Sequence, residues 1–374
     1  GRPLAERILG EFNVLLQERR KEYIVPSNTV PQYLAPQRRR ESSRLETRAP
    51  KIMQIGKSKT QHFGEGEFRI DLEESVRDRD VFLIQSPYEP PQNDLETQFV
   101  LYRLAANVLE GIVFADALKS RGANSVALVS PYLPFARQDH TRQRESLTAA
   151  TYAKLLRAAG LQSVITIEVH SKQHMMAYDA MSMGFENLRT GKLFIDEIAK
   201  EYGIDLDCDP PRASENLVIV SPDGGGVQRA RYFAKRFGVD VAWGDKRRDY
   251  SQNSVVNDVQ INGDVKGKDK VVVDDMVASG GSMCAVVKKL YEADGIPIAL
   301  GATHPLLTGE AVDLFDKLYE EGKLRKFMTM DTIMRPLGFK DTHPWYDEIS
   351  CAPMIARTLY QMNMSLPVSD VHED

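Results

Sequence analysis

Two adjacent carboxylates followed by a run of small residues stand out in the string VVVDDMVASGGSMCAVVKKL, residues 271–290. The apolar start reads as a buried strand, and Asp274 and Asp275 come at its carboxyl end, where parallel α/β sheets open the crevice in which they bind ligands. Paired carboxylates there can accept hydrogen bonds from neighbouring sugar hydroxyls. The turn of Ala278, Ser279, Gly280, Gly281 and Ser282 then opens an amphipathic helix. Small residues at such a point bare backbone N–H groups toward an anion at the positive helix end. One short motif can thus hold a pentose by its hydroxyls and by its phosphate. An ordinary glycine-rich strand-to-helix turn is the alternative reading of the same residues.

A site of this kind needs strands and helices in alternation to position it, and the chain supplies them. VFLIQ at 81, SVALVS at 125 and VITIEV at 164 are short apolar runs separated by helical patterns at about 94–121 and 146–159. The same grammar returns in NLVIVS at 216, KVVVDD at 270 and PIALGATH at 297, with helices at about 226–237 and 281–293. Alternation of this type specifies mainly parallel sheets covered by helices. A chain of 374 residues has room for two such domains. The expected division is 1–176, 177–344, and a closing helix and tail at 345–374 that packs back on the N-terminal domain. Residues 3–16 form an amphipathic helix by periodicity. From 18 to 57 the period fails among prolines and arginines, which reads as an irregular insertion. The methionine-rich stretch between His170 and Phe185 marks the domain boundary, its methionines serving as packing filler.

Composition excludes several classes of function. A net charge of −5 disfavours a protein whose business is holding nucleic acid, because phosphate neutralisation leaves a positive excess. No apolar run approaches a membrane span, and no secretory leader is read. Three dispersed cysteines, Cys208, Cys284 and Cys351, suit a reducing compartment, so a cytoplasmic location is expected.

The string around Asp274 resembles the phosphoribosyl-binding loop shared by type I phosphoribosyltransferases and ribose-phosphate diphosphokinases. Four other stretches resemble the diphosphokinases specifically. FGEGEF at 63 is similar to that family's adenine-reaching loop, which implies stacking by Phe63 and hydrogen bonding by Glu65 and Glu67 in the ATP site of a neighbouring subunit. PYLPFARQD at 131 is similar to its Pro-Tyr-x-x-x-Ala-Arg-Gln-Asp segment, which implies ATP contacts from Arg137, Gln138 and Asp139. VITIEVH ends on His170, where the family has a histidine beside magnesium-ATP. SPDGGGVQRA at 221, followed by DKRR at 245, places Lys246 and Arg248 where the family folds cations over the reacting phosphates. Phosphoryl-group transfer asks mainly for positioning and for positive charge at the transferred oxygens, and such a loop supplies both. Taken alone, Lys246 and Arg248 read as an inert basic turn, and His170 as a structural histidine.

The resemblance implies two tandem phosphoribosyltransferase-like α/β domains, ATP and ribose 5-phosphate as substrates, Mg2+ as cofactor and a homo-oligomer, with neither nucleic acid nor membrane as partner. Glu186 in ENLRT sits where the family has an Asp touching magnesium and ribose, so His170 and Glu186 are the expected metal-side residues. The sequence departs from the family pattern at Ala278, where a third Asp is common, and at HTRQRES after Asp139. It carries Glu65 where Asp is usual, and the insertion at 18–57 has no family counterpart. A catalytically silent homologue that tunes active subunits, and a phosphoribosyltransferase, are the alternative readings.

Overall fold

The computed structural model describes residues 2–22, 54–90, 100–141, 143–208, 211, 216–247 and 258–368. They fall into two units, Gly1–Arg77 with Cys351–Asp374, and Asp78–Ser350.

In the first unit the helix Arg2–Glu22 buries Leu4, Ile8 and Phe12, spaced four apart along one face. That face packs on the helix Ala352–Asn363, whose buried residues include Ile355, Leu359 and Tyr360, with the Phe12 and Tyr360 rings edge to face at 5.7 Å. The first helix runs past the expected start of the insertion at 18. Gln17, Glu18, Arg19, Arg20 and Lys21 are all good helix formers, and the helix needs no apolar stripe to continue through them. The rest of that insertion up to residue 53 lies outside the described residues. Strands β1 (Ser58–His62) and β2 (Phe68–Leu72) pair antiparallel, His62 opposite Phe68.

The second unit holds two parallel-type sheets. The first is β3 (Asp80–Ile84), β4 (Ser125–Ser130), β5 (Ser163–Ile167) and β6 (Gly184–Leu188), in that spatial order and all parallel. The second contains β7 (Leu217–Ser221), β8 (Asp240–Arg247), β9 (Asp258–Asn262), β10 (Asp269–Val277), β11 (Ile298–Pro305), β12 (Leu324–Met330) and β13 (Tyr346–Ile349). Its order is β13-β12-β11-β10-β7-β8-β9, and only β9 runs antiparallel. The continuous apolar runs of β7, β10 and β11 follow from burial on both faces. Val218, Val220, Val272 and Leu300 face the helices Gly281–Glu292 and Ala311–Glu320. Ile219, Val271, Val273 and Ala299 face the helices Gly191–Tyr202 and Val227–Phe237 on the other side.

A cut at 176/177 would fall inside the helix Gln173–Asp179 and would give β6 to the second domain, whereas β6 pairs with β5, Thr166 opposite Asn187. The helix at 191–202 already packs against the second sheet. At the far end β13 adds to the second sheet beside β12, which carries that domain past 344 to Ile349. Of the methionines in the boundary segment Met183 is buried, but Met175 and Met176 are 47% and 72% exposed, so these two are not packing filler.

Candidate active site

The order of the second sheet locates a crevice. After β7 the chain crosses on one face through Val227–Phe237 to β8, and after β10 it crosses on the other face through Gly281–Glu292 to β11. β7 and β10 are neighbours, so their carboxyl ends part in opposite directions, which is the switch-point geometry at which open α/β sheets bind ligands. Asp274 and Asp275 stand at that end of β10. The turn that follows is pinned by Leu307 N–H donating to the Val277 carbonyl and Thr308 N–H to the Ala278 carbonyl, each at 3.0 Å. Gly280 then takes φ +73°, a left-handed conformation that glycine adopts without steric penalty, and becomes the N-cap of the next helix with no side-chain capping bond. Ser279, Gly281 and Ser282 are exposed, and a Cβ on Gly281 would meet nothing within 4 Å. The start of that helix is therefore exposed, with the positive end of its dipole at the crevice.

The two carboxylates behave differently. Asp275 is buried and accepts from Met276 N–H at 2.9 Å and from His170 Nδ1 at 2.6 Å. Burial by itself would push its carboxyl up, but the His170 hydrogen bond and the Arg229 charge more than offset this and hold it well below the usual carboxylate range. Asp274 accepts from Asp275 N–H at 2.8 Å and is pushed well up, by burial first and by the charge of Asp275 second. His170 is raised by its hydrogen bond to Asp275, against partial burial. The pair thus offers one carboxylate held ionised and one whose charged form is disfavoured until a cation or donor comes to it.

His170 follows β5 and Asp275 lies on β10, so this contact joins the two sheets. Buried polar groups line the same junction. Glu168, at φ +42°, accepts from Thr190 N–H at 3.0 Å through Oε1, while Arg229 Nη1 lies 3.5 Å from its Oε2. Thr190 and Thr303 hydroxyls meet at 3.2 Å. His304 Nε2 donates to the Ile167 and Glu168 carbonyls at 3.0 and 3.3 Å. Tyr88, Ala136, Met276, Leu306 and Ile333 form an apolar patch beside them, with Tyr132 and Ala278 packed against it. Ala278 therefore sits in apolar surroundings suited to a methyl group.

On the first-sheet side, Phe135 at φ +62° turns the chain after β4, and its carbonyl accepts from Gln138 N–H at 2.8 Å. This leaves Arg137 and Gln138 exposed, and the Arg137 charge reaches His170, whose protonation it opposes. Asp139 accepts from His140 Nδ1 at 2.7 Å. Arg137, His170, Asp274 and Asp275 are thus brought into one neighbourhood. Phe63, Glu65 and Glu67 belong to the other unit, where they form the β1–β2 hairpin loop. Phe63 N–H donates to the Glu67 carbonyl at 2.8 Å, Gly66 takes φ +93°, and Phe63 is 37% exposed. Lys246 lies on β8 opposite Val259, while Arg248 falls outside the described residues. Glu186 lies on β6 opposite Ile165.

Among the described residues no group of three or more His, Cys, Asp or Glu could hold a metal ion. Magnesium usually takes only one or two protein carboxylates and completes its shell with phosphate and water. A crevice without a chelating cluster among its described residues fits an ion that arrives with a nucleotide. Among the described residues, no helix is long and apolar enough to cross a membrane. Cys208, Cys284 and Cys351 are free thiols.

Glu168, Thr190, Arg229 and His304 escape a reading of the sequence alone. Glu168 and His304 did carry a signal, a polar residue at the end of an otherwise apolar strand, the same signal that picks out Asp274.

Comparisons with known proteins agree with this geometry. Residues 42–160 match the family model for the N-terminal domain of ribose phosphate pyrophosphokinase, and residues 194–302 match that for the phosphoribosyl transferase domain. A ribose-phosphate pyrophosphokinase of Xanthomonas campestris is 33% identical over 86% of this chain and 92% of its own, and ribose-phosphate pyrophosphokinase 1 of Streptococcus pyogenes is 30% identical over 86% and 91%. The crystal structure of phosphoribosylpyrophosphate synthetase from Mycobacterium smegmatis superposes with a TM-score of 0.69 at 27% identity, over 87% of this chain and 95% of that one. With relatives at 30% and 33% identity covered over nine tenths of their own length, the chain belongs to the ribose-phosphate pyrophosphokinase family.

Proposed function

We infer that this protein transfers the β,γ-diphosphoryl group of ATP to the 1-hydroxyl of ribose 5-phosphate, giving phosphoribosyl diphosphate and AMP. The observation that carries the reading is the switch-point cluster: Asp274 and Asp275 beside an uncapped helix start, with His170 held against Asp275 from the neighbouring sheet.

In this reading Asp274 and Asp275 accept from the ribose hydroxyls, and the amides of 279–282 take the 5-phosphate. Arg137, Gln138 and Asp139 with His170 meet the nucleotide from the first-sheet side. Phe63, Glu65 and Glu67 bind adenine from a hairpin. Lys246 and Arg248 bring positive charge to the transferred oxygens. Mg2+, with His170 and Glu186 as its protein partners, neutralises phosphate charge when bound. Ala278 leaves that side of the sugar to water or to packing. A homo-oligomer, in which the hairpin serves a second subunit's nucleotide, and a cytoplasmic location complete the reading.

The test is an assay of AMP release that depends on ribose 5-phosphate. The parent is expected to release it, and Lys246→Ala to turn over at least about 100-fold more slowly, as for loss of a cation at a phosphoryl transition state. A parent that binds ATP but makes no AMP overturns the reading, and unchanged turnover in the variant removes Lys246 from it.

A further inference from the structure

We propose that His304 is a positioning residue, whose hydrogen bond from the end of β11 to the end of β5 sets the spacing at which His170 meets Asp275. For its kinetic arm the proposal rests on the diphosphoryl-transfer reading.

His304 is 2% exposed at the end of a strand that is otherwise almost wholly apolar. An imidazole in such a place must satisfy both ring nitrogens or lose their hydration uncompensated. Its Nε2 faces the Ile167 carbonyl at 3.0 Å and the Glu168 carbonyl at 3.3 Å, and carbonyls only accept, so the proton is on Nε2. Nδ1 is then bare and needs a donor. Thr332 Oγ1 lies 3.0 Å from it and 2.9 Å from the Thr303 carbonyl, and its single proton serves one of them at a time. Burial keeps the ring neutral, with a pKa pushed down to about 4, so the tautomer is held throughout the ordinary pH range. The Tyr132 ring stands edge-on at 5.2 Å and fixes the imidazole plane from a third segment, the one that leads to Arg137.

Register explains what this bond positions. His304 is opposite Met276, the residue after Asp275, and Ile167 and Glu168 immediately precede the Val169–His170 step. The same two segments are therefore tied twice, once in the interior by His304 and once at the half-exposed His170–Asp275 contact. Without the interior tie, the His170–Asp275 contact would be the remaining direct link between these two segments, with the Arg229–Glu168 and Thr190–Thr303 contacts beside it.

His304→Phe keeps ring volume and removes both polar atoms, whereas His304→Gln keeps an N–H that can reach the Ile167 carbonyl. The expected result is a folded Phe variant whose kcat falls by about 10-fold or more, with KM for ATP and ribose 5-phosphate near parent values. The Gln variant should recover most of the parent kcat. Amide hydrogen exchange should accelerate at 168–172 in the Phe variant and stay at parent rates in the Gln variant and in the rest of the second unit. If His304→Phe does not fold, Thr332→Val takes its place with the same local exchange pattern and a smaller loss of kcat. Parent-like kcat and exchange in the folded variant overturn the proposal, and so does a Gln variant as impaired as Phe with exchange raised throughout. If the parent makes no AMP, the diphosphoryl-transfer reading fails, and the exchange arm alone decides whether His304 sets this segment.

Discussion

The two sheets of residues 78–350 end their strands at the candidate site in different ways. After β10 the left-handed turn is taken by Gly280, and the helix that follows starts without a side-chain cap. After β4 and β5 the left-handed positions are taken by Phe135 and Glu168, at φ +62° and +42°. Non-glycine residues in that region cost on the order of 1–3 kcal/mol each and persist only where the surroundings over-determine them. Phe135 is held by the Gln138 hydrogen bond and by its ring against Tyr152 at 5.6 Å. Glu168 is held through its carboxylate, its amide and its carbonyl. The contrast is between turns: the one after β10 uses glycine and bares amides, although Leu307 after β11 is also left-handed at φ +45°, while those after β4 and β5 hold side chains at strained backbone positions.

Asp275, where the lobes touch, offers the largest perturbation of that contrast. Asp275→Asn keeps the size of the side chain and removes its charge, so His170 loses its anionic partner and the sugar end loses its fixed anion. Turnover is expected to fall by at least about 100-fold, and urea unfolding should show a loss of about 1–2 kcal/mol for the charge-assisted hydrogen bond. Turnover near that of the parent would mean that the two lobes do not act together.

Gly280→Ala bears on the amide-built side. A Cβ at φ +73° would approach Phe315 to 3.3 Å, and the left-handed conformation adds strain of its own. A destabilisation of about 1–2 kcal/mol is expected, with KM for ribose 5-phosphate raised and KM for ATP little changed. If both KM values rise together, the turn is supporting the whole crevice rather than one substrate.

How much of this was legible in the sequence depended on the range over which the information lies. The strands LVIVS, SVITI and VVVDDMV and the helix starting at Gly281 are local patterns, and their apolar runs and small-residue turn announce them. β6 was missed because GFENL alternates weakly and lies at the edge of its sheet, where half-burial lets Glu186 and Asn187 stand in a strand. The overrun of the first helix to Glu22 was hidden because residues of high helix propensity can extend a helix without an apolar periodicity to announce it. The seam was invisible for a different reason. His170 and Asp275 are 105 residues apart, and His304 and Ile167 are 137 apart, so their meeting follows from strand order rather than from any string. Asp274 and Asp275 were found because both their chemistry and their position at a strand end are written locally, whereas the partner that separates their acidities is not.

Glu168 permits a sharper test of the strained side, because its two roles can be separated. Glu168→Ala and Glu168→Gly both leave the buried Thr190 N–H without its acceptor, so both should be less stable than the parent. If strain is stored at φ +42°, the Gly variant should be the more stable of the two by about 1 kcal/mol, the reverse of the usual order for these residues in a helix or strand. Equal melts, or Ala the more stable, would mean that the backbone there relaxes freely, and the contrast between the lobes would reduce to side-chain type alone.

The smallest expected effect concerns the pH dependence of the contact between the lobes. His170 gains its proton more readily in the folded protein than in the unfolded chain, because Asp275 accepts its hydrogen bond. A folded-state pKa above the unfolded value adds stability that is complete below the ordinary histidine range and is lost as pH rises through the raised value. Asp275 stays ionised across this interval, its own pKa being held low. The melting-temperature difference between the parent and His170→Ala should therefore be larger at pH 6 than at pH 9. It should also shrink with added salt only modestly, since Asp275 is buried although the imidazole is half-exposed. The reverse order, a difference that grows with pH, would show that the imidazole meets Asp275 as a neutral ring, and the outer tie between the lobes would then be an ordinary hydrogen bond.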